Sequence, residues 1–166
     1  NLNAKKSVVI SEKGTKLVSG LLDDSNIVMN KSSYVYTGGK IAPDFKVMIG
    51  TLELEKDTDY VIKDVENAVN VGTATLVIEG KGKYAGSKAK ATFEITPANI
   101  EDVSIVVKGA KYRGGKQVRP DVDKTDANGT LKVTLNKNDI TSQFEVTAYG
   151  ANNTAGKGAG SVTVQV

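Results

Sequence analysis

At 166 residues, with 39% hydrophobic and 25% charged side chains, the chain has material for one ordinary domain or two small ones. It contains no Cys and no His, which excludes disulfides, thiol catalysis and thiolate metal sites, and removes the commonest general base and metal ligand near neutral pH. The net charge of +3, from 22 basic and 19 acidic residues spread thinly along the chain, lacks the dense basic stripe of a nucleic-acid binder, and no apolar run is long enough to span a bilayer.

Taken in chain order, period-2 alternation predicts strands at Ser7–Ser11, Thr15–Ser19, Asn26–Asn30, Ser33–Thr37, Asp44–Ile49, Asp59–Lys63, Thr73–Glu79 and Ala89–Thr96. A second set is predicted at Val103–Lys108, Gln117–Val122, Thr130–Leu135, Gln143–Tyr149 and Gly160–Val166. Short strands at regular spacing, with 17 Gly to supply turns and no long segment of helical period, argue for an all-β sandwich. Alternation is clearest in Thr92-Phe93-Glu94-Ile95-Thr96, where Phe93 and Ile95 should face a core and their neighbours water; Ser161–Val166 reads the same way. Turns are expected at Lys13-Gly14, at Asn128-Gly129 with positive φ, and at Gly80–Gly86 as a hairpin connection.

The chain also repeats itself. Tyr36-Thr37-Gly38-Gly39-Lys40, with Pro43 following, returns as Tyr112-Arg113-Gly114-Gly115-Lys116, with Pro120 following. Self-similarity at so long a period marks one structural unit copied in tandem. The expected division is residues 1–26 as divergent N-terminal strands or the tail of a preceding repeat, 27–98 as a first repeat, and 99–166 as a divergent second repeat, with the junction at Thr96–Ile100. Tyr36 and Tyr112 are expected to pack their rings beside the paired glycines. Gly72 is expected where a side chain would block close backbone approach, and Tyr60 and Phe144 are expected to anchor the two cores. With neither an initiating Met nor a signal peptide, the chain is expected to be an excerpt of a longer protein.

The spaced elements Tyr36-Thr37-Gly38, Pro43, Asp57-Thr58-Asp59-Tyr60-Val61, Asn70-Val71-Gly72-Thr73-Ala74-Thr75, Gly80-Lys81-Gly82-Lys83-Tyr84-Ala85-Gly86 and Phe93-Glu94-Ile95-Thr96-Pro97-Ala98 resemble bacterial immunoglobulin-like repeats. Such repeats stand in tandem in secreted and wall-attached proteins, chiefly of Gram-positive bacteria. The second copy keeps Tyr112, Gly114, Pro120, Leu135, Phe144 and Gly156. It replaces the Asp-Xaa-Asp-Tyr turn with Asp139–Phe144, lacks the Gly-Lys-Gly-Xaa-Tyr hairpin and ends one strand early, which marks it as truncated or differently closed. The resemblance implies two tandem immunoglobulin-like β-sandwich domains at the cell surface or outside the cell, serving as spacer or adhesive module, and it carries no catalytic residue to this chain.

Gly80-Lys81-Gly82 and Gly156–Gly160 have the composition of phosphate cradles, but strands follow both, where a cradle needs a helix N-terminus. Asp121, Asp123, Asp126 and Asn128 in one loop, and Asp57 with Asp59 in another, could hold Ca²⁺; their spacing does not fit the EF-hand loop, and Asx-turn chemistry is the plainer reading. Glu53, Glu55, Lys56 and Asp57 read as a solvated edge rather than a carboxylate pair for glycoside hydrolysis. An internal Lys–Asn or Lys–Asp isopeptide bond needs a desolvated lysine, and none stands in an apolar pattern. The triplets at Asn30, Asn128 and Asn152 match glycosylation acceptors only in a host that glycosylates. Tyr34, Tyr84, Tyr112 and Tyr149 are the candidate stacking residues for a glycan.

The resulting expectation is a non-enzymatic, extracellular structural or spacer module with no catalytic, cofactor or metal residues and no cofactor. Its partners would be neighbouring domains of a parent protein and a weak glycan or host-protein ligand, with no nucleic acid, no membrane insertion and a monomeric state. A glycan- or host-protein-binding module, or an accessory domain of a large secreted enzyme, is the alternative.

Overall fold

The computed structural model describes residues 8–9, 18–19, 21–122, 126, 128–156 and 160–166. Among them the protein is all-β, with four three-residue 3-10 turns and no α-helix. Two compact units emerge: the first holds the described residues up to Tyr36 together with Lys40–Pro97, the second Thr37–Gly39 and Ala98–Val166. Ahead of the main sheets, β1 (Val8–Val9) pairs antiparallel with β2 (Val18–Ser19). The remainder of the two strands expected there, and the turn at Lys13-Gly14, lie outside the described residues.

In the first unit β3 (Ile27–Met29), β5 (Phe45–Ile49) and β6 (Leu52–Glu53) form one antiparallel sheet. The other sheet has the order β4-β9-β8-β7, from β4 (Ser33–Val35), β7 (Tyr60–Glu66), β8 (Gly72–Gly80) and β9 (Lys88–Thr96). Both sheets feed one core: Ile27 and Val47 cluster with Leu76, Ile78 and Ala89, joined by Leu22, Leu54, Tyr60 and Tyr84. Further along the same face of β8 and β9, Ala74, Phe93 and Ile95 pack with Ile41 and Ala68. Strand period explains the choice of side chains: the even positions 74, 76 and 78 of β8 stand opposite the odd positions 93, 91 and 89 of β9, so Leu76, Ile78 and Phe93 share one face, and of the large apolar residues of β8 only Val77 lies on the other. A small residue meets a large one in each of these pairs, Ala74 with Phe93, Leu76 with Ala91 and Ile78 with Ala89, which fills the interior without overpacking. The outer face carries Glu79 opposite Lys88, an exposed ion pair at 3.0 Å that favours solubility more than stability.

Strand β7 runs three residues past the expected end at Lys63. A bulge at Lys63 skips one position between the Ile62–Ile78 and Asp64–Val77 pairs. The skip returns Val65, opposite Leu76, to the core face occupied by Tyr60 and Ile62. At the entry to β8, Gly72 adopts φ +125° and a Cβ there would meet nothing within 4 Å. Its conformation, not close backbone approach, is what demands glycine.

In the second unit β10 (Ser104–Lys108) pairs antiparallel with β12 (Thr130–Leu135), which also takes β11 (Asp121–Val122) in parallel and β13 (Asn138–Asp139) in antiparallel alignment. A separate hairpin joins β14 (Glu145–Tyr149) and β15 (Val162–Gln165). Of the strand expected at Gln117–Val122, only Asp121–Val122 is paired, because the residues before it lie along no neighbouring strand. Leu131, Val133 and Leu135 are buried together with Ile140 and Phe144. Gly129 sits at φ +95° after Asn128, the positive φ expected of that turn, and a Cβ on it would run into Ala110 and Lys108.

Thr141, only 1% exposed, closes this core with its hydroxyl, which accepts from the Val133 N–H at 2.9 Å and lies 3.3 Å from the Val133 C=O. Replacing it by Val keeps the shape and leaves that buried N–H without its acceptor. Thr141→Val is therefore expected to lower the stability of the second unit by about 1–3 kcal/mol, read from the denaturant midpoint. An unchanged midpoint would mean that the hydroxyl contributes nothing.

The two units share a register. Between β5 and β6, Met48 faces Glu53 and Ile49 faces Leu52; between β12 and β13, Thr134 faces Asp139 and Leu135 faces Asn138, each 86 positions further on. The ion pair Lys46–Glu53 (2.8 Å) recurs at the same spacing as Lys132–Asp139 (3.2 Å). Ile27 opposite Val47 becomes Ile105 opposite Val133. The bulge recurs as well, at Thr147 between the Val146–Val164 and Ala148–Thr163 pairs. The 3-10 turns that lead into β3 and β10 are each capped by an Asx side chain: Asp23 accepts from the Ser25 N–H, and Asn99 from the Glu101 N–H.

Candidate functional site

Of the acidic residues singled out in the sequence, Asp126, Asp121 and Asp59 accept local hydrogen bonds. Asp126 accepts from the Asn128 backbone N–H at 2.7 Å and from its side-chain amide at 3.0 Å. These bonds, that amide first, hold the carboxyl below its ordinary range. The amide oxygen of Asn128 faces a cation already, accepting from the Arg113 guanidinium at 3.1 Å. Asp121 accepts from the Val122 N–H, and Asp123 lies outside the described residues. In the other loop Asp59 accepts from the Glu55 N–H at 3.1 Å, Lys81 donates to the Asp57 carbonyl, and Asp57 holds φ +70°. This is turn chemistry. Among the described residues no group of three or more His, Cys, Asp or Glu stands together as a metal cage would.

Among the described residues, the carboxylates whose titration is shifted are all held ionised. Lys40, helped by the Val65 N–H, lowers Asp64; Lys88, with Lys63, lowers Glu79. Asp139 falls from the ordinary 3.8 to about 2 through its bonds to Thr141, side chain before backbone, and then through Lys132. A depressed folded-state value contributes stability at pH above 3.8 and loses it as pH falls towards 2. The second unit is thus expected to weaken across that window, and Asp139→Asn to flatten the dependence while lowering stability near neutral pH. Denaturant midpoints measured through the window check this; parallel curves for the two proteins would contradict it.

The glycine loop Gly80–Gly86 connects β8 to β9 as expected, with a 3-10 turn at Gly82–Tyr84. Of the second glycine loop, residues 157–159 lie outside the described residues. No described lysine is buried, so the desolvated amine an isopeptide bond needs is missing among them. Asn152 is tied to Ser161 through both amide atoms.

The four tyrosines do not form a stacking platform. Tyr84 is 4% exposed and belongs to the first core. Tyr34 meets Phe93 edge-on at 5.3 Å, and its hydroxyl accepts from the Asp44 N–H. Tyr149 donates to the Pro120 carbonyl at 3.0 Å. Only Tyr112 is open, at 60% exposure, which also corrects the expectation that its ring packs on the paired glycines; Tyr36, its counterpart, is half-buried against the first core.

No protein-family model, curated protein or solved structure matches the chain. The site must therefore be read from geometry.

The concavity that stands out lies inside the second unit. A cavity of about 410 Å³ opens between the segment Ala110–Tyr112 and the start of β15, floored by Val107, Val118, Pro120 and Val162. Its walls combine apolar side chains with backbone that pairs with no strand among the described residues. Of the residues weighed in the sequence, Tyr112, Asn152 and the glycines 156 and 160 line it, and none of the carboxylates does.

Proposed function

We propose that this chain is a non-enzymatic structural spacer of an extracellular bacterial surface protein, built from two tandem immunoglobulin-like β-sandwich modules. The observation that carries the reading is the doubled register, in which Lys46–Glu53 and Lys132–Asp139 occupy the same place in two successive units. A module written twice suits an element whose task is length, because each copy closes its own core and extends the chain by one unit. On the outer face Glu79 of β8 pairs with Lys88 of β9 and Lys63 of β7, which suits a surface bathed in solvent. Its partners are then the neighbouring domains of the parent protein.

Single-molecule pulling tests this reading. Two separate unfolding events are expected, each releasing the contour length of one unit. Extension without a force peak, or turnover of a substrate by the isolated protein, would overturn it. The cavity of the second unit favours a second reading, a module that also binds a protein ligand.

A further inference from the structure

An edge strand is an open template for pairing unless something guards it. Of the described strands of five or more residues, three lie at a sheet edge: β7, β10 and β14. Strands β7 and β14 each carry a bulge, at Lys63 and at Thr147. Strand β10 carries none. Its five pairs with β12 run unbroken from Ser104 to Lys108, with no Pro among them and the single charge at the end. All five residues are exposed, Ile105, Val106 and Val107 included. In the first unit β3 holds the corresponding edge, so the open position belongs to the topology of the module; at three residues it is the shorter template.

Hydrogen bonds fix which groups of β10 face outward. The Val133 N–H donates to the Thr141 hydroxyl at 2.9 Å, and the Val133 C=O accepts from the Ile140 N–H at 3.0 Å, so both point away from β10. Ile105 stands opposite Val133. Facing residues in an antiparallel ladder exchange both backbone bonds or neither. The N–H and C=O of Ile105 therefore point out from the open edge, and so do those of Val107, two residues on. Charge is ordered along the same edge. Glu101 and Asp102 precede the strand, Lys108 ends it, and Lys111 follows. Neither Asp102 nor Lys108 has an ion-pair partner among the described residues.

We infer that β10 is a self-association edge: it pairs antiparallel with β10 of a second copy, in the register that sets Ile105 opposite Ile105. Each Ile105 N–H donates to the Ile105 C=O of the other copy, and each Val107 N–H to the other Val103 C=O. Parity and charge select this register. Outward groups sit on odd-numbered residues, so the copies slide only in steps that keep odd opposite odd. Centred on Ile105, the pairing sets Asp102 opposite Lys108 at both ends. Centred one residue to either side, it sets Asp102 opposite Val106 or Ala110 and loses both charge pairs. On the core side Val103, Ile105 and Val107 of both copies extend the apolar row of Leu131 and Val133. The two-fold pairing uses each β10 once, so it closes as a dimer and does not propagate as a fibre. The inference does not rest on the spacer reading.

Sedimentation equilibrium of the intact protein over a concentration series tests it. A monomer–dimer equilibrium with Kd of about 0.1–1 mM is expected, since so short an edge makes a small interface. Ile105→Pro removes an N–H that β12 does not use, and should abolish the dimer while the amides of β12 keep their NMR positions. Asp102→Lys sets like charges together at both ends and should weaken the dimer roughly tenfold. Adding Lys108→Asp to that variant should restore the parent Kd, which a merely structural role for either residue would not do. Four results would overturn the inference: a monomer throughout the series, growth beyond a dimer, a dimer that persists in Ile105→Pro, or no rescue by the double exchange.

Discussion

Phe93→Ala is expected to destabilise the first unit by about 3–5 kcal/mol. The ring is 2% exposed, stands directly opposite Ala74, and packs with Ile41, Ala68 and Ile95. Ala74 cannot grow to fill the space, and Tyr34, which meets the ring at an interplanar angle of 74°, loses its aromatic partner. Against a total of about 5–15 kcal/mol for an ordinary domain, this loss is a large fraction and can leave the unit unfolded. Phe93→Leu should cost less and keep a measurable transition. Thr92→Ala, one residue away on the outer face, should stay within about 0.5 kcal/mol. Denaturation followed by amide signals of β8 and β9 gives all three. Equal losses for Phe93→Ala and Thr92→Ala would contradict the facing assigned to β9.

The second large effect is expected at Gly80. Its backbone N–H bonds to the Ser87 carbonyl at 2.9 Å, closing the β8–β9 connection. A Cβ on Gly80 would collide with the Tyr84 carbonyl oxygen and the Ser87 hydroxyl, and would lie 2.8 Å from the Tyr84 carbonyl carbon. Backbone cannot rotate away as a flexible side chain would, and Tyr84 is fixed because its ring is part of the core. Gly80→Ala is expected to cost about 3 kcal/mol, at the upper end of overpacking effects. The denaturant midpoint of the first unit reads the loss. A midpoint unchanged from the parent protein would show that the connection is looser than described.

Much of this architecture was legible from alternation alone. Phe93 and Ile95 face inward, and the period of β12 buries Leu131, Val133 and Leu135, because strands with one wet face write burial directly into sequence. Elements that break period were not legible. Past Lys63 the inward set passes from even to odd positions, so the end of β7 reads as noise unless a bulge is assumed. Strands β6 and β13 are two residues each, too short to show any period. Tyr84 and Tyr112 both sit beside glycines in sequence, yet a 3-10 turn rolls the first into a core while the second, lacking a neighbouring strand, stays in solvent. The acidic loop illustrates a different limit. Composition places Asp126 and Asn128 together, but only geometry reveals that Arg113 already answers the Asn128 oxygen.

The central claim is that one β-module is written twice in the same register. Inter-strand backbone NOEs test it most directly. Cross-peaks are expected between Met48 and Glu53 and, 86 positions on, between Thr134 and Asp139, together with Ile27 to Val47 and Ile105 to Val133. A register offset by one residue in either unit, or helical connectivities across Thr130–Leu135, would contradict it.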